Sequence, residues 1–236
     1  EAEQTILSGA GSLAVGAGSA GVGAGVIVIT DIHRAWAEVG TNGWLNALGK
    51  KRVVGNFGKL NVTDSSSGNT VSKRGKHGQM TINGIIIGAF NTTNIHAIAI
   101  TGSGGGTAGV GIATVTVVEK AKAQAIINSG AQINQGSREG GQSSVHVIAS
   151  NDTVESVSGG AASGGGTAGV SGAVVVYTGI KETTARIGDG VQIFAENAIV
   201  VLAHSDNQIY ANVVGAAAGG TAGVGATVSV IVLQDT

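Results

Sequence analysis

The sequence predicts an all-β protein built as a parallel β-solenoid, and three observations support this fold class. The phrase Gly-Thr-Ala-Gly-Val occurs at 106–110, 166–170 and 220–224, each time before a run of small and β-branched residues. Repetition at a fixed spacing is typical of solenoids. Short segments alternate apolar and polar residues with period 2, which indicates half-buried strands. The chain has 42 glycines but no proline and no cysteine, which argues against collagen and excludes a disulfide framework.

The repeated phrase sets a register along the chain. The offset from Val110 to Val170 is 60, and the offset from Val170 to Val224 is 54. Two further groups of apolar residues recur at the same offsets. The first group is Ile85, Val145 and Ile199. The second is Ala125 and Ala185, which Ala37 precedes at an offset of 88 from Ala125. We therefore divide the single solenoid segment, 1–236, into modules of about 9–84, 85–144, 145–198 and 199–236.

Each module contains three alternating segments separated by turn residues, so one segment with its turn takes roughly 18–20 residues. That is the length of one coil of a parallel β-helix, in which coils stack about 4.8 Å apart. The sequence thus predicts three coils per module. We expect the glycine phrase to form a corner between strands, since a β-branched run follows it rather than a helix with the Lys-Ser/Thr of a phosphate loop.

The first module carries an insertion at about 44–83 that differs chemically from the rest. It holds seven of the chain's 13 Lys and Arg residues, whereas the whole chain is nearly neutral. One interpretation is a solvated excursion with a small hairpin of 52–57 against 59–63. The other is a contact surface for an anionic glycan, lipid head group or nucleic acid. In the second interpretation the partner-binding residues are Lys50, Lys51, Arg52, Phe57, Lys59, Lys73, Arg74, Lys76 and His77.

No catalytic, cofactor or metal site is predicted. The histidines lack H-x-x-x-H spacing, and no G-x-S-x-G elbow is present. Asp152 and Asp206 occupy equivalent positions in consecutive modules. Three coils would separate them by about 14 Å, beyond the roughly 5–9.5 Å of paired glycosidase carboxylates. We therefore predict that the protein is not an enzyme.

Three further patterns receive structural interpretations. The uncharged stretch 208–234 is long enough to cross a bilayer, but glycines interrupt it, so we predict a buried solenoid wall. The triplet Gly188-Asp189-Gly190 resembles a fragment of a calcium-binding repeat and is predicted to be a turn. Sequons at Asn61, Asn91 and Asn151 would matter only in a eukaryotic secretory route.

The phrase A-x-G-G-T-A-G-V-x-x-x-V-x-V, followed by A-x-I-G-x-G-A/V-x-I, resembles a known family. It is similar to the repeat region of large secreted bacterial filamentous adhesins and leukotoxins of the fusobacterial leukotoxin type. The closest matches are 219–230 and 185–193, and the likeness covers about 85–236 well and 9–43 loosely. It implies a right-handed β-helical stalk, export by two-partner (type V) secretion, a cell-surface location and a role in virulence. It implies no catalytic residues.

These observations together predict a structural stalk segment of a secreted, cell-surface adhesin or leukotoxin-like protein. Because the chain starts and stops inside a repeat, we expect it to be an excerpt of a longer protein. Expected partners are neighbouring repeats or further copies end to end, and a host-cell glycan, lipid or protein bound through protruding loops; no specific nucleic acid and no cofactor are expected. The alternative is a self-assembling extracellular fibre or sheath, and a polysaccharide-active β-helix enzyme ranks below both.

Overall fold

A computed structural model describes residues 2–47, 53–56, 62–63, 70–71, 79–82, 84–135 and 143–236. The described chain is all-β, as predicted. Its strands, in chain order, are β1 (Ala2–Gly16), β2 (Ala20–Val39), β3 (Trp44–Leu45), β4 (Val53–Asn56), β5 (Val62–Thr63), β6 (Thr70–Val71), β7 (Gln79–Ile82), β8 (Gly84–Gly105), β9 (Ala108–Ile127), β10 (Gln132–Ile133), β11 (Ser144–Gly165), β12 (Ala168–Ile187), β13 (Gln192–Ile193), β14 (Ala198–Gly219) and β15 (Ala222–Asp235).

Two large parallel sheets face each other across the core. Sheet A has the strand order β1-β8-β11-β14, and sheet B has the order β2-β9-β12-β15. The chain passes along one strand of sheet A, turns, and continues along one strand of sheet B; we call one such passage a circuit. A short parallel sheet of β3, β10 and β13 follows the long strands. This arrangement is consistent with the predicted parallel β-solenoid.

The offsets found in the sequence reappear as the register between paired strands. Val145 lies opposite Ile85 on one side and Ile199 on the other, and Ala125 lies opposite Ala37. Partners on β8 and β11 keep the offset of 60, and partners on β11 and β14 keep the offset of 54. The predicted coil length and the prediction of three coils per module are therefore wrong, because each module is one circuit.

The predicted coil is too short because polar residues inside strands resemble turns. β8 continues through Asn91, Thr92, Thr93 and Asn94 without a break and is 22 residues long. The first three of these side chains are buried. A run of such residues would normally end a strand, but here the strand continues through the core. Three apparent short strands per module are therefore parts of two long ones.

The glycine phrase forms the corner between sheet A and sheet B, as predicted. β11 ends at Gly165 and β12 begins at Ala168, so the chain reverses over two residues. A Cβ atom on Gly165 would overlap the carbonyl oxygen of Ala168. Successive corners are joined by backbone hydrogen bonds: the amide of Thr167 donates to Thr107 and that of Thr221 donates to Thr167, both at 2.9 Å. Glycine is thus required by close approach of the backbone.

The core contains two apolar clusters with polar side chains between them. The cluster nearer the glycine corners includes Ile95, Val115 and Val175. The other cluster includes Ile87 and Val147. Buried polar residues lie between these clusters along the strands, and we call them the polar belt: Asp31, His33, Asn91, Thr93, Glu119, Asn151, Thr153, Glu155 and Lys181. In the described strands, the belt separates one apolar cluster from the other.

The insertion contains two nested antiparallel pairs. β4 pairs with β7, and β5 pairs with β6. The predicted hairpin of 52–57 against 59–63 is wrong, because β4 closes onto the far end of the insertion and the β5–β6 pair lies within it.

The stretch 208–234 lies in β14, the corner and β15, so it belongs to the two sheets rather than to a helix. The prediction that this wall is buried is wrong for β15, because every residue of that edge strand is exposed. Within the described ranges, no helix has the length and apolar character to cross a membrane. Gly190 adopts the left-handed conformation with φ 66°, and it lies in a turn with Asp189. The triplet that resembles a calcium repeat is thus a turn, as predicted.

Candidate functional site

The predicted partner-binding residues lie outside the described residues. They are Lys50, Lys51, Arg52, Phe57, Lys59, Lys73, Arg74, Lys76 and His77. Their role stays a prediction. β4, which lies in the same insertion, contacts β8 of sheet A.

Within the described chain, the polar belt contains three fully buried ionisable side chains: Glu119, Glu155 and Lys181. β9 carries Glu119 into the core, where it is fully buried. The neighbouring β12 supplies Lys181, whose Nζ lies 2.7 Å from Glu119 Oε2, and Tyr177, whose hydroxyl donates to the same oxygen at 2.8 Å. From sheet A, the Thr153 hydroxyl donates to Glu119 Oε1 at 3.3 Å and accepts a hydrogen bond from Lys181 Nζ. These contacts join the two sheets through one carboxylate.

Glu155 of β11 is a further buried carboxyl group, and it faces Glu119. No described side chain is placed to donate a hydrogen bond of normal geometry to its oxygens, and the attraction of Lys181 does not offset the effect of burial beside Glu119. Burial, a hydrogen bond shared with Glu119 and the negative charge of Glu119 raise the pKa of Glu155 to about 9. At neutral pH Glu155 therefore carries a proton and donates a hydrogen bond to Glu119.

Glu119 itself remains ionised. Burial alone would raise the pKa of Glu119, but the hydrogen bond from Glu155 and the attraction of Lys181 outweigh burial and lower the pKa to about 2. Burial and the neighbouring carboxyl groups raise the pKa of Tyr177 well above its usual range, so the phenol stays protonated. One carboxylate and one ammonium group then balance in the core, as burial of charge requires.

Asp31 and His33 of β2 extend the belt toward one end of sheet B. His33 Nδ1 lies 3.1 Å from Asp31 Oδ2, and His33 Nε2 lies 2.8 Å from the Thr93 hydroxyl. Ligand atoms of Asp31, His33 and Glu119 all lie within 4.8 Å of one another, so these three side chains have metal-ligand spacing. Each of them already has a partner in the protein, which accounts for the group as a structural network.

Asn91 and Asn151 form a ladder across adjacent strands in the core. Asn91 Nδ2 donates to Asn151 Oδ1 at 2.8 Å and to the backbone carbonyl of Lys122 at 2.9 Å. Asn151 Nδ2 donates to the carbonyl of Glu182 on sheet B at 2.9 Å. Both side chains are buried, so neither sequon is accessible for glycosylation in the folded chain. Asn61 lies outside the described residues.

The predicted separation of about 14 Å between Asp152 and Asp206 is wrong. Asp152 and Asp206 are direct partners on β11 and β14, where strands are about 4.8 Å apart. The larger expected separation assumed three coils per module, whereas each module is one circuit. Ligand atoms of Asp152, Asp206 and His204 lie within 4.8 Å of one another. Stacking of one position in consecutive circuits is sufficient to produce this pair, so its spacing alone does not indicate catalysis.

Sequence reasoning misses the polar belt because its members are far apart along the chain. The sequence does contain one signal, which is that charged residues continue the period-2 pattern of the apolar ones. Glu119 follows Val115 and Val117 at intervals of two, and Glu155 precedes Val157 at the same interval. Charged residues at inward positions of a strand indicate buried polar contacts. Comparisons with known protein families, curated proteins and solved structures find no match to this chain.

Proposed function

We propose that the chain is a structural stalk segment of a secreted, cell-surface filamentous adhesin or leukotoxin-like protein. The supporting observation is that one circuit repeats in register, strand upon strand, in two parallel sheets. Among the described residues, β1 and β2 at one end and β14 and β15 at the other pair on one side only. Edges of 14 to 22 residues present long rows of unpaired N–H and C=O groups. Further circuits would pair them.

The side chains of β15 support continuation of the stack. Ile231 lies beside Tyr177 in the register, at a position that faces the core. Tyr177 is fully buried, whereas Ile231 is 48% exposed and Leu233, two residues on, is 42% exposed. Another circuit on this end would bury both side chains. Because each circuit adds only about 4.8 Å of length, an extended stalk would need many circuits, which fits very large secreted proteins.

In this proposal the stalk has no catalytic activity, and the insertion after β3 contacts partners. The test compares the chain with a variant in which residues 46–83 are replaced by 134–143, the shorter connection in the next circuit. Both proteins are applied to glycan and lipid arrays over a salt series. We expect salt-sensitive binding that is lost in the variant, because screening weakens contacts made by exposed charges.

A second variant, with the insertion's Lys and Arg residues replaced by Gln, separates charge from shape. Equal binding by the chain and the shortened variant would overturn the assignment of adhesion to the insertion. Absence of binding by every form would remove the adhesive function and leave a structural role.

The second candidate function is a self-assembling extracellular fibre or sheath. It is favoured by the same open edges, because β14 and β15 of one copy could pair with β1 and β2 of the next. This head-to-tail contact is heterologous, and such contacts generate filaments when they do not close into a ring.

A further inference from the structure

The outer face of sheet B is unusually apolar. Alternate residues of a strand point to opposite faces, so the even-numbered positions of β2, β9, β12 and β15 point away from the core. We define the outer patch as these positions in 20–30, 108–118, 168–178 and 222–232. Val and Ile occupy just over half of these positions and Ala, Thr or Gly the others; none is charged.

The register aligns the outer patch into continuous rows across the sheet. Val22, Val110, Val170 and Val224 form one row. A second row comprises Val28, Thr116, Val176 and Val230. The side chains are open to solvent even though they are aliphatic: Val28 is 68% exposed, Val224 58% and Ile112 48%.

Charged residues on the same face begin where the outer patch ends. Lys120 is the next outward position of β9, and Arg34, Lys122 and Glu182 form the row after it. Lys122 Nζ and Glu182 Oε1 form an ion pair at 2.8 Å. An uncharged centre with charged residues at its border is the arrangement found in protein interfaces.

The area of the outer patch is that of a protein–protein contact. Eleven residues at about 3.3 Å span about 36 Å, and four strands at about 4.8 Å span about 19 Å, so the patch covers about 700 Å². The largest apolar patch of a typical monomer is about 300–600 Å². Specific interfaces bury about 800 Å² per partner. Burial of these exposed Val and Ile side chains in an interface would therefore stabilise a complex.

We propose that the outer patch binds a second copy of this chain, face to face. An uncharged surface rich in β-branched residues complements an identical surface, since no like charges meet across it. Two such sheets pack about 10 Å apart with their strands roughly aligned. The contact is isologous and closes as a dimer. The contact uses side chains on the outer face of sheet B and no backbone group of an edge strand. The proposed stalk and fibre are extended by pairing of edge strands, so the dimer is independent of both.

Sheet A does not offer an equivalent surface. Next to the glycine corners its outer positions mix aliphatic side chains with polar ones, including Asn94, His96 and Asn212, and the charged Glu3, Asp152 and Asp206 follow in the row where these positions end. Phe90 and Ile148 also lie on this face, and both are buried. Among the described surfaces, sheet B therefore has the more apolar outer face next to the corners, with Thr as its only polar residue type.

The test measures the oligomeric state of the whole chain by analytical ultracentrifugation. The unsubstituted chain is expected to form dimers at micromolar concentration. The variant T116K/V176K places two positive charges side by side on the two central strands of the outer patch. We expect its dimer dissociation constant to rise by at least about tenfold, because like charges are brought together without compensation.

The matched control is I98K/S158K, which places two lysines in one row on the outer face of sheet A. It should leave the dimer intact, and circular dichroism should show the same strand content in all three proteins. A chain that remains monomeric up to about 100 μM would overturn the proposal. Binding to neutral phosphatidylcholine vesicles by a chain that does not self-associate would assign the patch to lipid and would also overturn it.

Discussion

Glu119 and Glu155 illustrate how two buried carboxyl groups can coexist in this core. Ionisation of both would place two negative charges against the single ammonium group of Lys181. Retention of a proton on Glu155 leaves one charge of each sign and supplies Glu119 with a further donor. Removing one partner of a buried ion pair typically costs about 3–5 kcal/mol, because the remaining charge is uncompensated. The belt therefore favours one alignment of the two sheets over shifted ones.

The substitution E155Q tests the protonation state of Glu155. The pKa of Glu155 is raised from an ordinary value of 4.5 to about 9. Its contribution to stability is therefore fully present below about pH 4.5 and is lost as pH rises toward 9. Glutamine keeps the shape and a donor for Glu119 but does not ionise. We expect the unfolding free energy of E155Q, measured by urea denaturation, to depend less on pH between 5 and 9.

The control for this experiment is E182Q, which alters a carboxylate at the surface whose side chain is 42% exposed. It should leave the slope between pH 5 and 9 unchanged. The loss of stability on acidification should persist in E155Q, because the pKa of Glu119 is lowered to about 2 and its contribution disappears as pH falls from 4.5 toward 2. An identical slope in the unsubstituted chain and E155Q would contradict protonation of Glu155.

At the scale of single elements, the sequence predicts the corners and the register but not the length of the strands. Val110, Val170 and Val224 stack because one position repeats in each circuit, so their spacing equals the register directly. Strand length depends on whether Asn91 and Asn151 find partners in the core, and these partners lie on an adjacent strand and on the other sheet. Such contacts between distant segments leave no local pattern.

The same limitation explains why the sequence does not predict the polar belt as a group. Glu119, Thr153 and Lys181 come from β9, β11 and β12, and only the packing of sheet A on sheet B brings them together. The insertion, in contrast, is recognisable from composition alone, since its basic residues are close together in the chain. A charged segment can be recognised from the composition of the sequence, whereas a buried network can be recognised only when the fold is known.

The corner glycines provide a prediction with an adjacent control. A Cβ atom on Gly165 would overlap the carbonyl oxygen of Ala168, which is backbone and cannot move aside. A Cβ atom on Gly164 meets nothing within 4 Å. We expect G165A to lower the unfolding free energy by about 2–4 kcal/mol. G164A should change it by less than about 1 kcal/mol, since alanine there causes no overlap.

Denaturant unfolding of the two glycine variants measures the difference directly. Both substitutions add one methyl group at neighbouring positions of the same strand, so composition and hydrophobicity are matched. Equal effects of G165A and G164A would show that the corner tolerates side chains, and the structural explanation of the repeated phrase would then fail.

The four circuits of this chain are long in the direction of the strands and short in the direction of the stack. Strands of 20 to 22 residues extend about 66–73 Å at about 3.3 Å per residue, whereas four stacked strands rise only about 19 Å. Two kinds of surface of these four circuits are therefore available for association: the edge strands at either end, and the outer patch of sheet B. Edge pairing extends the stack, and packing of the outer patch joins two stacks side by side.

Alternation along β15 allows these two modes of association to be separated within one strand. Ile231 and Leu233 face the core side, at the open end, whereas Val230 and Val232 belong to the outer patch. We expect I231K/L233K to abolish end-to-end filaments seen by electron microscopy, because lysines on the open end prevent burial by the next copy. The same variant should retain the face-to-face dimer in analytical ultracentrifugation.

V230K/V232K should do the reverse, weakening the dimer and leaving filaments. Equal effects of both variants would contradict two separate surfaces, and a chain without filaments at any concentration would exclude the self-assembling fibre while leaving the stalk proposal intact.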